Sequence, residues 1–262
     1  MKYLILFIIL LTAKSVFAKQ GTMHILYFPE PPSYEGNDEL SMVGEFGFLM
    51  ADGNTNTSSV TANINTTQEF SDWGYQIIGN ALYKQNQQEV QGKKTNTASA
   101  QKLFVSSQMD HKLAGTNNRV FLYGEYENNR FNGFHYQAAL AAGWTSRVWR
   151  DKCSELKYSV GPGYAVSKVK ADSNNEANKG LIVRAAIEYK RKFSEQATFR
   201  QFISAESDHE FTKTKSETSL STKLTGKLGM KLSFIMDFDS SVGPHNESLD
   251  TEAAISLIYQ FL

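Results

Sequence analysis

The sequence predicts an all-β fold, a twelve-stranded antiparallel transmembrane β-barrel of outer-membrane type. Three observations predict it: strand-like alternation of apolar and polar residues, connections that alternate between short and long, and aromatic residues at the ends of the apolar faces. The last segment shows the alternation most clearly, because every second residue from Ala253 to Phe261 is apolar. Closing this final strand onto the first would leave no unpaired sheet edge.

The first residues predict export. A basic start at Lys2, an apolar run from Tyr3 to Leu11 and small residues up to Ala18 form a signal peptide, 1–18, which we expect to be removed after Ala18. The run is too short for a membrane anchor, and Lys14 interrupts it. We therefore expect export through the Sec pathway and a location in the cell outer membrane.

Composition limits the partners. Removing Lys2 and Lys14 reduces the 27 basic side chains to 25, against 27 acidic ones, so no nucleic acid is expected as a partner. Cys153 stands alone in the sequence, which excludes an internal disulfide. After residue 18 no run of 18 apolar residues predicts a membrane helix. Removing 18 of the 262 residues leaves 244, enough for one barrel.

Turn chemistry divides the chain. Residues 19–41 contain Pro29, Pro31 and Pro32, and we predict a flexible periplasmic lead-in there, with a plug formed by residues 25–28 as the alternative. The barrel is predicted over 42–262, and an even number of strands puts both chain ends on the periplasmic side. The candidate strands are 42–52, 58–70, 73–85, 97–113, 119–127, 134–149, 154–170, 180–193, 197–206, 217–227, 230–240 and 250–261.

The connections between these strands form two sets. The short set comprises 71–72, 114–118, 150–153, 194–196 and 228–229. The alternate set is mostly longer and more polar, and comprises 53–57, 86–96, 128–133, 171–179, 207–216 and 241–249. Tight periplasmic turns and extended outward loops alternate in this way in outer-membrane barrels, whereas a soluble sandwich has no need of the asymmetry.

Aromatic residues at strand ends indicate which face meets lipid. In the third segment Trp73 and Tyr83 end an apolar face, while Gln76, Asn80 and Lys84 share the other face. A soluble barrel would show the same alternation with its apolar face inward. Aromatics at both ends instead match the two membrane interfaces. A charge facing lipid near the midplane costs roughly 2–4 kcal/mol, so we assign the charged face to the lumen.

The charged face supplies the candidate functional residues. They predict either a selectivity lining that passes a small polar solute or a set of ion pairs that brace the inner wall. Twelve strands predict a bore between those of filled and water-filled barrels, so both alternatives stay open. The residues assigned to the lumen are Glu45, Lys102, Glu125, Arg147, Lys157, Arg184, Glu188, Arg200, Lys223, Lys231, Asp237 and Glu252.

Catalytic chemistry has little support in the sequence. A hydrolase needs a nucleophile, a histidine base and a third polar group, and His135 is the one histidine assigned to the lumen, without a serine motif. Asp208, His209 and Glu210 are adjacent in a strand end, so their side chains alternate between faces and predict a solvated loop. We expect no enzyme activity, no cofactor and no metal. The alternatives are an outer-membrane hydrolase acting on lipid or peptide and a barrel whose loops bind a surface partner.

Four motifs carry a resemblance to a known family. They are GNTNTSS at 53–59, FLYGEYENNRFNG at 121–133, VGPGY at 160–164 and KLTGKL at 223–228. In this order they resemble the salt-induced outer membrane proteins, grouped as domain of unknown function 481, over about residues 42–261. The resemblance implies an outer-membrane barrel of Gram-negative bacteria with no established activity and no catalytic residues to assign.

The location predicts the partners. We expect contact with outer-membrane lipid and lipopolysaccharide, and recognition of the C-terminal strand by the barrel assembly machinery. The sequence departs from the usual assembly signal because Leu262 follows the aromatic Phe261. The small-solute ligand is unknown.

Overall fold

Twelve antiparallel strands close into one barrel. The computed structural model describes residues 40–51, 56–90, 93–114, 116–129, 134–169, 177–209, 211–240 and 248–261. Each strand pairs with its neighbours in sequence, and the last pairs with the first, which confirms the predicted fold class. The strands are β1 (Leu40–Ala51), β2 (Asn56–Glu69), β3 (Trp73–Val90), β4 (Lys93–Lys112), β5 (Asn118–Asn129), β6 (Phe134–Arg150), β7 (Ser154–Val169), β8 (Asn178–Lys192), β9 (Ala197–Ser207), β10 (Thr212–Thr225), β11 (Leu228–Asp239) and β12 (Leu249–Gln260).

Several predictions lie outside the described residues. They concern the signal peptide 1–18, nearly all of the lead-in 19–41, the loop motif at 53–55 and Glu210. Among the residues that are described, no helix has the length and hydropathy that crossing a membrane as a helix requires.

The barrel has two unlike ends. We call the end that carries Leu40 and Gln260 the terminal end, and the opposite end the loop end. Short turns close the hairpins at the terminal end. In one of them the backbone N–H groups of Cys153 and Ser154 donate to Asp151, and these hydrogen bonds lower the pKa of its carboxyl group. In another, Gly226 has a φ of 51°, a left-handed conformation that glycine adopts without steric cost.

The apolar face of the sheet points outward. Trp73, Leu140 and Phe234 are 50%, 64% and 48% exposed, whereas Arg184 and Glu188 are each 3% exposed. A soluble barrel would show the opposite distribution, so the assignment made from the aromatic strand ends is confirmed. Because the exposed side chains are large and apolar, the outer wall is suited to acyl chains rather than to water.

Three strand boundaries differ from the prediction by four residues or more. Residues 86–96 were predicted as a loop, but β3 continues to Val90 and β4 starts at Lys93, so the two strands form a long hairpin. A strand needs about 9–11 residues to cross a bilayer, so this hairpin extends beyond it. β10 begins at Thr212 rather than at residue 217, because its polar start, Thr212 to Ser216, hides the strand alternation in the sequence.

The seam between β1 and β12 is short. Its ladder pairs Val43, Gly44, Glu45 and Phe46 with residues 257–260, whereas the β1–β2 ladder extends from Leu40 to Ala51. Few backbone hydrogen bonds therefore close the barrel, and side chains that cross this seam gain importance.

Leu140→Arg tests the outward orientation of the apolar face. Leu140 lies within β6 on the outer wall, so arginine there should lower the free energy of unfolding by about 2–4 kcal/mol in lipid vesicles. Phe193→Arg is the matched control, because Phe193 is exposed in a turn at the terminal end, where the same change should cost about 0–1 kcal/mol. Equal effects at both positions would contradict the membrane orientation.

Candidate functional site

An alternating chain of charges lines the terminal half of the lumen. We call it the ionic belt; its members, in order of contact, are Arg147, Glu155, Lys157, Glu188, Arg200, Glu217, Lys231 and Glu45. Cations and anions alternate along it, and it extends over strands β6 to β11 and reaches β1. Each carboxylate therefore has a cation on at least one side, which offsets part of the cost of burying it.

The contacts within the ionic belt are short and buried. Arg200 Nε lies 2.8 Å from Glu188 Oε2, and Arg200 Nη1 lies 3.2 Å from Glu217 Oε2. Lys157 Nζ approaches Glu188 Oε1 to 3.2 Å from the other side. Such pairs hold neighbouring strands in register, because removing either partner would leave an uncompensated charge in a site of low dielectric.

Lys231 connects the belt across the seam. Its ammonium group lies 2.7 Å from Glu45 Oε2 and 3.8 Å from Glu217 Oε1, so one side chain of β11 bridges β10 and β1. Strand β12 lies between β11 and β1, and its residue beside Lys231 is the small, buried Ser256. Lys231 therefore reaches across the short β1–β12 seam and connects the first strand to the last part of the sheet.

A second group of charges lies on the loop side of the belt. Arg184 pairs with Glu206, and the centre of its guanidinium lies 4.0 Å from the centroid of the Tyr123 ring. Tyr123 donates a hydrogen bond to Glu125. The other pairs are Lys102 with Glu127 at 3.4 Å and Lys215 with Asp237 at 3.7 Å. Arg184 on β8 therefore reaches a ring on β5, well around the wall.

Between these two groups of charges, apolar side chains from different strands meet inside the barrel. Phe104, Ala186 and Phe202 form one buried cluster, which we call the septum. Phe104 stands on β4 and Phe202 on β9, five steps apart in the strand order of the ring, so rings from nearly opposite walls meet. Phe202 is 0% exposed, which shows that no water-filled passage runs beside it.

The order of residues along the strands places the septum between the two groups. On β8 the sequence of lumen positions is Glu188, Ala186, Arg184 from the terminal end to the loop end, and on β9 it is Arg200, Phe202, Ser204, Glu206. Belt residues thus precede the septum and the second group follows it. On β8 and β9 an apolar residue therefore interrupts the charged lining, whereas on β10 the lumen positions Lys215 and Glu217 follow each other directly.

Most of the predicted lumen residues lie on the lumen face. They are Glu45, Lys102, Glu125, Arg147, Lys157, Arg184, Glu188, Arg200, Lys231 and Asp237. Lys223 has the same parity as the lumen-facing Ser221, and its side chain is exposed at the terminal rim of β10, beside an irregularity in the ladder. Glu252 belongs to β12, but its side chain is outside the described part of the chain. The role of these residues in selectivity stays a prediction.

The sequence analysis missed the residues that complete the lumen. Glu155, Glu206 and Glu217 supply carboxylates to the charged groups, and Phe104 and Phe202 supply the septum. A signal for each was present, because all five fall at alternate positions in register with a residue that was assigned to the lumen. Phe104 follows Lys102 by two residues, and Phe202 follows Arg200 by two.

The face assignment at the start of β6 is wrong. The assignment of His135 to the lumen face puts its neighbour Phe134 on the outer face by strand alternation, but Phe134 is buried and His135 is exposed. The register of β6 on β7 shifts between Phe134 and Tyr136, and such a bulge turns a side chain to the opposite face. His135 is therefore no longer a candidate lumen base. Within the described parts of the chain, no cluster of three or more His, Cys, Asp or Glu could hold a metal ion.

A cavity opens at the loop end above the second group of charges. It has a volume of about 200 Å³, and we call it the vestibule. Its wall contains four carboxylates and two ammonium groups, from Glu125, Glu206, Asp208, Asp239, Lys179 and Lys213. Phe134, which the bulge turns inward, and Phe211 add aromatic surface. The vestibule is thus both charged and apolar.

Comparison with known structures supports the architecture. An outer membrane channel from Pseudomonas putida F1 superposes with a TM-score of 0.53 at 9% identity, covering 89% of this chain and 100% of that one. The translocator domain of the autotransporter NalP from Neisseria meningitidis gives a TM-score of 0.48 at 10% identity, over 85% of this chain and 87% of that one. At 9% identity the likeness to the Pseudomonas putida channel concerns the fold alone, which is that of an outer-membrane barrel.

Sequence relatives place the chain in a family. The uncharacterized protein YdiY of Escherichia coli (strain K12) is 23% identical over 215 residues, which is 81% of this chain and 80% of the relative. The family described as "Protein of unknown function, DUF481" matches residues 44–261, nearly the whole barrel. The chain belongs to the DUF481 family.

Proposed function

We propose that this protein is a structural outer-membrane barrel that is closed to solutes in the conformation described, and that it is not an enzyme. One observation carries the proposal: the septum joins nearly opposite walls through buried phenylalanine rings. An ion entering this constriction would lose part of its hydration beside apolar rings, which makes entry costly. The ionic belt then acts as bracing of the inner wall.

Passage of a small polar solute is the second candidate. It is favoured by the charged groups on both sides of the septum, because a solute would meet polar partners before and after the apolar constriction. Hydrophobic constrictions can gate a pore by losing and regaining water. Passage would require the rings of Phe104 and Phe202 to move apart. The charges would then determine which solutes enter.

The native barrel is expected to be silent in planar lipid bilayers. Purified protein, inserted at neutral pH in symmetric salt, should give no stepwise current, because the septum blocks the lumen. Circular dichroism and heat-dependent gel mobility of the same sample would verify that the inserted protein is folded. Stepwise currents from folded native protein would sink the closed-barrel proposal and favour solute passage.

Lipid or peptide hydrolysis is one of two alternatives from the sequence, the other being a barrel whose loops bind a surface partner. His135 is the candidate base for hydrolysis, but this side chain is exposed at the loop-end start of β6 rather than in the lumen. Lipid hydrolysis by native protein that disappears in His135→Ala would overturn the non-enzymatic proposal. Absence of hydrolysis in both proteins supports it.

The proposal includes the route and setting of the barrel. We expect export through the Sec pathway, a periplasmic terminal end, contacts with lipopolysaccharide and recognition of β12 by the assembly machinery. The predicted signal peptide and the barrel form support these expectations.

A further inference from the structure

The vestibule is a closed-ended site rather than the mouth of an open passage. Its carboxylates include Glu206, whose partner Arg184 lies on the loop side of Ala186 in β8. A solute entering from the loop end therefore meets the septum behind this layer. A cavity with an apolar wall, convergent polar groups and a closed floor has the characteristics of a small-molecule site.

We propose that the vestibule binds a small organic amine, with its ammonium group among the carboxylates and its apolar body against Phe134 and Phe211. The volume of about 200 Å³ is suited to a compound with a single ring or a short chain. The site is independent of the proposed closed lumen, since a ligand can bind without crossing the septum.

Charge determines the sign of the preferred ligand. Four carboxylates line the vestibule against the ammonium groups of Lys179 and Lys213. Arg184 pairs with Glu206 on the septum side of the vestibule. The four carboxylates and these three cations together carry a net charge of −1. A monovalent cation would neutralise this net charge, whereas an anion would increase the negative charge. Because the vestibule is lined partly by apolar atoms, the difference in electrostatic energy between a bound cation and a bound anion is larger there than in bulk water.

The polar groups are also held in place. Lys213 Nζ donates to Gln137 Oε1 at 3.4 Å, which turns this ammonium group towards β6. Asp208 Oδ1 accepts the backbone N–H of Phe211 at 2.7 Å, so this carboxylate is held next to an aromatic wall residue. Glu125 is held by the hydroxyl group of Tyr123. Preorganised partners reduce the entropy that a ligand must give up on binding.

The bulge at Phe134 contributes to the same site. Without the register shift, the side chain of Phe134 would project towards the outer wall and the vestibule would lose one aromatic face. Bulges often redirect a side chain beside a functional site. The shift therefore gives an irregularity of β6 a role in ligand binding.

Three molecules of similar shape test the charge preference. Benzylamine, benzyl alcohol and benzoate differ mainly in carrying a positive charge, no charge or a negative charge, and each can be titrated calorimetrically into the full-length barrel in detergent. We expect saturable binding of benzylamine, at least tenfold weaker binding of benzyl alcohol and no saturable binding of benzoate. Equal binding of all three, or preference for benzoate, would overturn the proposal.

Two substitutions with opposite expected effects on benzylamine affinity distinguish charge recognition in the vestibule from a general loss of barrel stability. Glu125→Gln keeps an acceptor for Tyr123 and removes a charge, so benzylamine affinity should fall about fivefold or more. Lys213→Gln removes a repelling cation, so affinity should rise. Glu195→Gln is the control for the loss of a carboxylate, because Glu195 is exposed in a turn at the terminal end, and it should bind as native protein does.

Folding of each variant is verified by its heat-dependent gel mobility. If Glu125→Gln fails this criterion, Asp239→Asn takes its place with the same expected loss. Affinity that changes in the same direction in the acidic and the basic variant would contradict the proposal. A conducting native barrel that still binds benzylamine would sink the closed-lumen proposal and leave this one standing, so the two failures are distinguishable.

Discussion

Replacing both septum rings by alanine is expected to turn a silent barrel into a conducting one. In Phe104→Ala with Phe202→Ala, two side chains that meet from nearly opposite walls are shortened to methyl groups. Water can then enter between the ionic belt and the second group of charges, and both groups offer partners to ions. The measurement is single-channel current in planar bilayers, where we expect discrete steps that the native barrel lacks.

The matched control removes the same two rings from the outer wall. Phe46→Ala with Phe234→Ala deletes lipid-facing phenylalanines, and this protein should stay silent. The septum variant should also be less stable, since each Phe→Ala change in a packed site costs about 3–5 kcal/mol, so its folding must be verified before insertion. A folded septum variant without current would contradict the septum as the barrier.

Removing Lys231 is expected to weaken the closure of the barrel more than any other single change in the ionic belt. Lys231→Met leaves the carboxylates of Glu45 and Glu217 buried without the cation between them. Breaking a buried ion pair in this way costs about 3–5 kcal/mol, and here the loss falls on the short β1–β12 seam. Urea unfolding in detergent, followed by tryptophan fluorescence, measures the change.

A second substitution should restore most of that loss. In Lys231→Met with Glu45→Met no unpaired carboxylate remains at the seam, because Glu217 keeps Arg200 at 3.2 Å. Apolar replacement of a whole buried pair is often neutral. A double variant as unstable as Lys231→Met would show that the lysine contributes through its size or position, and the bridging account would then be wrong.

The strand count and the outward face could be predicted because lipid imposes a strong pattern. Trp73, Leu140 and Phe234 each belong to a strand in which exposed apolar side chains recur at every second position over part of its length, and a charge placed among them would cost several kcal/mol. The start of β10 was not predictable in the same way. Thr212 to Ser216 are polar on both faces, so the period of two disappears from the sequence although the ladder continues.

The lumen was only half predictable. Its charges follow from strand alternation, but their pairing depends on barrel stagger, which brings Arg200 of β9 between Glu188 and Glu217. Phe104 and Phe202 occupy lumen positions that alternation reveals, yet their meeting depends on the strand order around the ring. The position of Phe134 depends on a bulge, which sequence alternation cannot detect.

The most direct measurement of a sealed lumen is labelling from one side of the membrane. In liposomes the exposed native Cys153 reports which side carries the terminal end. In a Cys153→Ser background, Ser167→Cys lines the vestibule, whereas Thr198→Cys faces the lumen near the terminal end of β9. A small charged thiol reagent added at the loop end should modify Ser167→Cys and leave Thr198→Cys unmodified. Similar modification of both positions from that one side would contradict the sealed lumen.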